Sequence, residues 1–256
     1  MDLRQSENYA QYMRMLGWIV EKTGFGNVFV RKLCFFSIIK IQRVDNVYWD
    51  ELKKITKEHR ALFVNIEPIQ SLVTGHWSLG GMNLLPTKTI ILDLENLQIP
   101  KDTKYEVRKA RENNPPIEQS TDIEEFYKTL QETMKIGGWQ IPIKNEVTNL
   151  YQSFAPKNGV LLTNNQSGCL LIWEGDTAHF MYAANTQTGR QNGGAYLVLW
   201  EAITFCQTRG IKYLDLEGIY DDRFPNQNKS WRGFTKFKLG WGGEVKEYPK
   251  SCIILL

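Results

Sequence analysis

Metal-binding and disulfide-forming residues are scarce in this 256-residue chain. It has three histidines and four cysteines, and the cysteines are Cys34, Cys169, Cys206 and Cys252. They lie far apart, most of them within apolar runs, and no two of them form a CxxC pair. This distribution argues against a zinc site and against a disulfide framework. The sequence therefore predicts reduced, buried thiols.

Long apolar runs and a strong net charge are also lacking. No apolar run approaches the roughly 20 residues that a membrane-spanning helix needs. The polar opening segment MDLRQSENY does not have the pattern of a signal peptide. The net charge of +3 is too small to identify a nucleic-acid-binding protein by itself. We therefore expect a cytoplasmic protein in which a local basic patch would bind any polyanionic partner.

The hydrophobic periodicity predicts an α+β (mixed α/β) protein with two lobes. In the first half it predicts helices at residues 6–22, 48–59 and 101–112, and strands at 27–33, 36–43, 61–68 and 88–94. In the second half it predicts helices at 121–136, 145–154 and 194–208, strands at 159–165, 169–175, 177–185 and 212–217, a short helix from Ser230 and closing strands near 243–256. The order of elements recurs loosely, so we expect each lobe to be a mixed, mainly antiparallel sheet flanked by helices.

The best candidate boundary between the lobes is Pro115–Pro116, which must stop the preceding helix. It divides the chain into a first lobe of residues 1–114 and a second of 115–244. Whether the last strand, within 245–256, returns to complete the first lobe is left open.

The helix at 101–112 carries a basic stripe. Thr103 and Glu106 form a possible capping box at its start. The spacing of its cations places four of them on one face: Lys101, Lys104, Arg108 and Arg111. Such a stripe could bind neighbouring phosphates, although a solvated helix face is its commoner role.

Potential catalytic residues are concentrated in residues 193–221 and 233–243. A glycine pair opens an apolar helix, and a strand with Asp215 and Glu217 on one face follows it. Phe237 and Lys238 then precede a Gly-Trp-Gly-Gly turn. A lysine can supply a compact positive charge to a developing oxyanion in acyl transfer. The alternative is a solvated lysine at the end of an amphipathic helix.

Four segments of the chain, taken in order, resemble a single family. They are QSENYAQYMRMLGW (5–18), PTKTIILDL (86–94) followed by KYEVRKA (104–110), LWEAITFCQTRGIKYLDLEG (199–218) and GFTKFKLGWG (233–242). The first resembles a Gln-Ser, aromatic and Gly-Trp opening, and the last resembles a Phe-Lys-x-Gly-aromatic-Gly signature. On these motifs the chain resembles the FemABX family of peptidoglycan bridge-forming aminoacyltransferases.

The resemblance implies two acetyltransferase-like (GNAT-like) lobes with the acceptor between them and a charged tRNA end on the second lobe. The implied reaction moves an amino acid from aminoacyl-tRNA to the stem-peptide amine of a peptidoglycan precursor, either lipid II or UDP-MurNAc-pentapeptide. It implies no metal and no bound organic cofactor. We expect a monomer, and peripheral contact with the inner face of the membrane remains open.

The resemblance also implies roles for particular residues. Lys238 and Phe237 are expected at the reacting ester and the terminal adenine of the tRNA, with Asp215 as the third catalytic candidate. The expected substrate-binding residues are Lys104, Arg108, Tyr182, Glu67, Gly218 and Glu217. The two carboxylates of the strand could accept or orient the proton of the attacking amine. A structural carboxylate that binds loop N–H groups is the alternative, and we prefer it for Asp215. His179 is expected to have no catalytic part.

A rival pattern precedes the apolar helix. Residues 190–195 fit Arg-x-x-Gly-x-Ala, the phosphate-binding pattern of CoA-dependent GNAT enzymes. Glycines at a helix N-terminus let backbone N–H groups approach a pyrophosphate. A CoA-dependent N-acyltransferase is therefore the first alternative. A non-catalytic tandem GNAT-like protein that binds precursor or tRNA is the second.

Overall fold

The computed structural model describes residues 2–72 and 78–255. Its helices are α1 (Glu7–Met15), α2 (Trp49–Glu58), α3 (Lys101–Asn113), α4 (Ile123–Gly137), α5 (Lys144–Phe154), α6 (Gln187–Gln191), α7 (Gly194–Thr208) and α8 (Arg232–Leu239). Its strands are β1 (Ile19–Thr23), β2 (Gly26–Leu33), β3 (Phe36–Gln42), β4 (Ala61–Glu67), β5 (Ser78–Gly80), β6 (Lys88–Asp93), β7 (Glu118–Ser120), β8 (Gly159–Thr163), β9 (Ser167–Glu174), β10 (Thr177–Asn185), β11 (Tyr213–Gly218), β12 (Glu244–Glu247) and β13 (Cys252–Ile254). Within these two ranges, no helix combines the length and the apolar composition that a membrane crossing requires.

The chain forms two compact units, and the first consists of residues 1–87 and 247–256. Over the described residues its sheet has the strand order β1-β2-β3-β4-β13-β5. β3 and β4 are parallel, and α2 connects them. The apolar side of α2 is buried through Leu52 against the sheet residues Ile39, Ile41 and Val64. β13 pairs with β4 and β5, so the last strand belongs to the sheet of the first unit.

The second unit consists of residues 88–246. Its sheet has the order β12-β6-β11-β10-β9-β8-β7, with β10 and β11 parallel and the neighbouring pairs β9–β10 and β6–β11 antiparallel. The helix α7 is apolar around much of its circumference, which is typical of a buried helix. Its residues Val198 and Ala202 lie in one core with Leu171, Leu214 and Trp241. The mixed α+β architecture is as predicted.

The predicted lobe boundary at residue 114 is wrong. β6 pairs antiparallel with β11 of the second unit, and its residues Ile90 and Leu92 are fully buried in that unit's core. The segment 88–114 therefore belongs to the second unit, and the first connection falls at Thr87. The prolines after α3 end that helix without dividing the units.

Two local predictions near helix ends also need correction. The predicted helix at 6–22 ends at Met15, because Gly17 adopts a φ of 80° and the chain then enters β1. Ser6 does cap this helix, accepting a hydrogen bond from the N–H of Tyr9. Thr103 does not cap α3, which begins at Lys101; the buried Thr103 hydroxyl instead donates to the carbonyl of Gly240 at 2.5 Å.

Candidate active site

The candidate site lies where two parallel strands of the second unit stop pairing. β10 and β11 pair as far as His179, which lies opposite Asp215. Directly afterwards the register of β11 against β6 is interrupted between Asp215 and Gly218. Glu217, inside this interruption, has a φ of 59°, a left-handed conformation that is uncommon outside glycine. An interruption of this kind bends the strand and points its side chains in directions that a regular strand does not allow.

Four polar side chains form a hydrogen-bonded cluster at this interruption. Oδ1 of Asp215 accepts a hydrogen bond from the Thr89 hydroxyl and another, 2.7 Å long, from the backbone N–H of Glu217. Nδ1 of His179 lies 2.7 Å from Oε1 of Glu217 and 4.0 Å from Oδ2 of Asp215. Asp215 thus supports the backbone at Glu217, in keeping with a structural carboxylate, whereas the Glu217 side chain contacts His179.

Lys238, in the last turn of α8, has its amine against the same stretch of backbone. Nζ donates to the carbonyl of Gly218 at 2.8 Å and to that of Glu217 at 3.4 Å, and it lies 4.9 Å from the centre of the Phe234 ring. Burial lowers the pKa of Lys238 to about 8, while the carboxylates of Glu217 and Asp215 act in the opposite direction. The amine is therefore a desolvated donor, still mostly protonated at neutral pH, and is not a solvated charge.

Phe237 packs into the interior of the second unit. Its ring makes edge contacts with Tyr196 and Trp241, with centroids 5.0 and 6.1 Å apart, and it lies against the buried core. Because its ring is engaged by these aromatic neighbours, Phe237 supports the end of α8. The stacking of Phe237 on the terminal adenine, which the resemblance implied, does not fit this packing.

Aromatic residues that the sequence analysis did not single out lie beside Lys238. The ring of Phe234 contacts that of Trp231 at 5.5 Å and that of Trp139 at 5.8 Å between centroids. All three side chains are only partly buried. Phe234 precedes Lys238 by four residues, a spacing that places the two side chains on one face of a helix. This spacing is the signal that could have identified Phe234 from the sequence.

The predicted phosphate-binding residues of α3 lie at the surface. Lys104 and Arg108 are both exposed, as the stripe predicts. Arg108 lies over the ring of Tyr105, with 5.4 Å between the guanidinium carbon and the ring centre. Arg111 of the same stripe forms an ion pair of 3.0 Å with Glu201. The stripe is therefore an accessible basic surface that Glu201 partly neutralises.

Tyr182, on β10 just after the shift in its register with β9, is a half-buried residue of the second unit. Burial raises the pKa of Tyr182 to about 12, and the negative charges of Glu146 and Glu217 act in the same direction. The phenol is therefore neutral at physiological pH and can donate a hydrogen bond.

Glu67, at the end of β4 in the first unit, is buried and fully engaged there. One carboxylate oxygen accepts from the N–H groups of Leu84 and Leu85 at 2.7 and 2.6 Å, and the other accepts from the side-chain amide of Gln42 at 2.9 Å. These contacts give Glu67 a structural role within its own unit. We therefore do not carry it into the proposed site.

His179, Asp215 and Glu217 also form a group that could hold a metal ion, because their donor atoms lie within 4.8 Å of one another. Hydrogen bonds already account for this proximity: Asp215 accepts from Thr89 and from the Glu217 backbone, and Glu217 contacts the imidazole. The nearby amine of Lys238 also offsets part of the negative charge of the two carboxylates. A cation is thus not needed to explain the geometry.

His179 is the functional candidate that the sequence analysis set aside. Nothing in the local sequence around it indicates a catalytic residue. Its position follows from the parallel pairing of β10 and β11, which places it opposite Asp215. A prediction of that pairing, rather than of the strands alone, would have brought the two residues together.

Comparison with known proteins agrees with this description. Residues 143–251 match the model of the FemAB family. The crystal structure of FemX aligns with a TM-score of 0.79 at 15% identity, over 100% of this chain and 92% of that chain. No curated protein matches the chain in sequence.

Two further solved structures share the fold. The C-terminal domain of a putative lysylphosphatidylglycerol synthetase from Agrobacterium fabrum aligns with a TM-score of 0.65 at 11% identity, covering 98% of this chain and 88% of that chain. A GCN5-related N-acetyltransferase from Kribbella flavida aligns with a TM-score of 0.51 at 12% identity, covering 99% and 96%. The fold is therefore GNAT-like. Residues 143–251 match the FemAB family model and the whole chain shares the fold of FemX, in agreement with the resemblance that its motifs indicated.

Proposed function

We propose that this protein is an aminoacyltransferase that moves an amino acid from aminoacyl-tRNA to the stem-peptide amine of a peptidoglycan precursor. The observation that carries the proposal is the desolvated amine of Lys238, held on the carbonyl of Gly218 beside the Glu217 carboxylate. The family match and the shared fold with FemX support it. The reaction would take place in the cytoplasm and needs neither a metal nor a bound organic cofactor.

In this reaction the acceptor amine attacks the ester carbonyl of the aminoacyl group, and negative charge develops on the carbonyl oxygen. Lys238 would face that oxygen with a positive charge that is already desolvated and fixed by two backbone carbonyls. A preorganised donor of this kind loses little energy to reorganisation when the transition state forms. It is the contribution that acyl transfer most needs from the protein.

The donor end of the tRNA would lie along α8. Phe234 and Trp231 offer partly exposed aromatic faces beside Lys238, and nucleobases stack on such faces without sequence preference. The exposed cations Lys104 and Arg108 on α3 would contact phosphates of the donor or the acceptor. This arrangement assigns stacking to Phe234, in place of Phe237.

The acceptor would approach from the side of β10. The neutral phenol of Tyr182 is proposed to donate a hydrogen bond to the precursor. It lies near Glu217, whose negative charge contributes to its raised pKa. The acceptor is either lipid II or UDP-MurNAc-pentapeptide, and lipid II would require peripheral contact with the inner face of the membrane. We expect the enzyme to act as a monomer.

The CoA-dependent alternative loses support at the segment 190–195. A Cβ on Gly193 would lie 3.4 Å from the Cβ of Ala110 of α3, and the side chain of Asn114 donates to the carbonyl of Asn192 at 2.8 Å. A Cβ on Gly194 would lie 1.9 Å from Oγ of Ser167. The chain's own atoms therefore fill the Cβ side of both glycines, and the N–H groups of Asn192 and Gly193 already donate to the carbonyls of Thr188 and Arg190.

Gly194→Ala tests whether the glycine is needed for packing. The new Cβ would also lie 2.9 Å from the carbonyl oxygen of Gly189, so we expect the free energy of unfolding in urea to fall by about 2–3 kcal/mol. The matched control is Gly233→Ala in α8, where a Cβ would meet nothing within 4 Å. The control should gain up to about 1 kcal/mol. Equal stabilities of the two variants would contradict the packing role.

The proposed function is tested by a transfer assay on the purified protein. A labelled mixture of aminoacyl-tRNAs and labelled acetyl-CoA are offered separately, each with UDP-MurNAc-pentapeptide, with lipid II in detergent, or with phosphatidylglycerol vesicles. We expect label to move from tRNA to a peptidoglycan precursor, which also identifies the amino acid and the acceptor.

The other results of this assay have definite meanings. Transfer only from acetyl-CoA would overturn the proposal in favour of an N-acyltransferase. Transfer from tRNA only to phosphatidylglycerol would retain the donor and replace the acceptor. Binding of tRNA or precursor without transfer would indicate the non-catalytic alternative.

A further inference from the structure

The backbone at Glu217 is held in a conformation that a regular strand would not impose. A φ of 59° at a residue with a side chain costs free energy and persists only where the surroundings enforce it. Here Asp215 enforces it by accepting a hydrogen bond from the N–H of Glu217 at 2.7 Å. The Thr89 hydroxyl shares its single proton between two acceptors, the Asp215 carboxylate and, at 2.8 Å, the carbonyl oxygen of Glu217. Asp215 and Thr89 thus fix the backbone position from which the Glu217 side chain extends.

The carboxylate itself is fixed by a buried imidazole. Nδ1 of His179 lies 2.7 Å from Oε1 of Glu217. The side chain of His179 is 5% exposed and that of Glu217 is 14% exposed. The imidazole therefore lies behind the carboxylate, and of the two groups Glu217 is the one better able to reach a bound substrate.

The charge that would stabilise the oxyanion lies on the same turn of backbone. Nζ of Lys238 is bound by the carbonyl oxygens of Glu217 and Gly218. A tetrahedral centre that contacts Lys238 would consequently lie within one residue's length of the Glu217 side chain. A general base must come within hydrogen-bond reach of the attacking amine, and the Glu217 carboxylate belongs to the same turn of backbone that holds the oxyanion donor.

We propose that Glu217 accepts and returns the proton of the transfer reaction, and that His179 is a positioning residue that holds the Glu217 carboxylate in place. This inference rests on the proposed function. It assigns a specific role to a histidine that lies outside the motifs of the family.

The proton transfers balance without a further reactant. The neutral acceptor amine attacks the ester carbonyl, a carbon–nitrogen bond forms, and the nitrogen becomes positively charged. Glu217 takes one proton from this nitrogen. The carbon–oxygen bond to the ribose then breaks, and the Glu217 carboxylic acid returns the proton to the departing ribose oxygen. The products are an amide and a tRNA hydroxyl, and Glu217 is again a carboxylate.

Substitutions at Glu217 test the proton transfer. Glu217→Gln keeps the hydrogen-bond acceptor for His179 and removes the base, so we expect kcat for transfer to fall by about 10²-fold or more. Glu217→Ala should be similarly slow and should regain activity in formate, which can enter the space of the lost carboxylate. Glu174→Gln, at the end of β9 and also half-buried, is the control and should be unaffected.

Substitutions at His179 separate positioning from proton transfer by the imidazole. The amide nitrogen of Asn can stand near the position of Nδ1, so His179→Asn should retain transfer within about tenfold of the wild type, and His179→Ala should lose more. Circular dichroism verifies that each variant is folded. If Glu217→Gln does not fold, the contrast between His179→Asn and His179→Ala still tests the inference.

The outcomes distinguish this inference from the proposed function. Wild-type protein that transfers from no donor overturns both. Wild-type transfer that persists in Glu217→Gln, or a loss in Glu217→Ala that formate does not restore, overturns the inference alone. Equal losses in His179→Asn and His179→Ala would overturn the positioning role. Zn²⁺ binding that depends on Glu217, and an activity abolished by EDTA, would replace the proton acceptor with a metal ligand.

Discussion

Lys238→Met is expected to lower kcat/KM for transfer from aminoacyl-tRNA by about 10²–10³-fold. Methionine keeps an unbranched side chain of similar length but removes the charge that would meet the developing oxyanion. The matched control is Lys236→Met, on the same helix and exposed to solvent, which should retain wild-type activity. Measurement under kcat/KM conditions reports the loss of transition-state stabilisation directly. Equal activity of the two variants would show that Lys238 has a structural role and does not take part in catalysis.

The pH dependence provides a second readout of the same residue. Since the pKa of Lys238 is about 8, the amine is charged below that pH and loses its proton above it. The ratio of the wild-type rate to the Lys238→Met rate should therefore decline as the pH rises through about 8. The aminoacyl ester also hydrolyses faster in alkali, so each rate must be corrected with a protein-free control. The ratio is the informative quantity because the titration of the acceptor amine affects both proteins equally and cancels.

Stability should change with pH in the opposite direction. Folding lowers the pKa of Lys238 from its ordinary value of 10.5 to about 8, so between these values the unfolded chain binds the proton more tightly than the folded one. The free energy of unfolding of the wild type, relative to Lys238→Met, should therefore rise by about 2–3 kcal/mol across this window. Comparison with the variant cancels the titration of other groups. A constant difference would contradict burial of the charged amine.

The sequence allowed the main elements of the second unit to be predicted because their patterns are local. Alternation and apolar runs identified β8 to β11, and Gly210 follows the apolar helix with a φ of 70°. The division into units could not be predicted in this way. It depends on the pairing of β6 with β11, residues more than 100 positions apart in sequence, while the prolines after α3 gave a stronger local signal of a boundary.

The side-chain arrangement of the candidate site could likewise be predicted only in part from local patterns. Regular alternation was the reason for placing Asp215 and Glu217 on one face, but the φ of 59° at Glu217 breaks that alternation. Both carboxylates still reach His179, because the interruption turns the chain back toward β10. Asp215 and Glu217 are therefore neighbours, as predicted, but strand alternation alone does not explain why. The backbone conformation that joins them is fixed by Thr89, a residue of a distant strand.

Trp241→Ala is expected to lower the free energy of unfolding by about 3–5 kcal/mol. Trp241 is fully buried, and its ring lies with those of Tyr196 and Phe237 in the core of the second unit. The following turn packs just as closely, since a Cβ on Gly243 would lie 2.7 Å from the carbonyl oxygen of Ile91 in β6. Denaturation in urea, followed by circular dichroism, measures the loss.

The informative partner of this variant is Phe237→Leu. Leucine keeps most of the apolar contact with Tyr196 and Trp241, so the change should cost less than about 1.5 kcal/mol and should leave transfer close to the wild-type rate. If Phe237 instead stacks on the donor, a folded Phe237→Leu protein should lose transfer and bind tRNA more weakly. The two neighbouring side chains then have different roles. The Phe237 ring packs in the core and anchors the end of α8, and this anchor holds the Lys238 amine against the turn at Glu217 and Gly218.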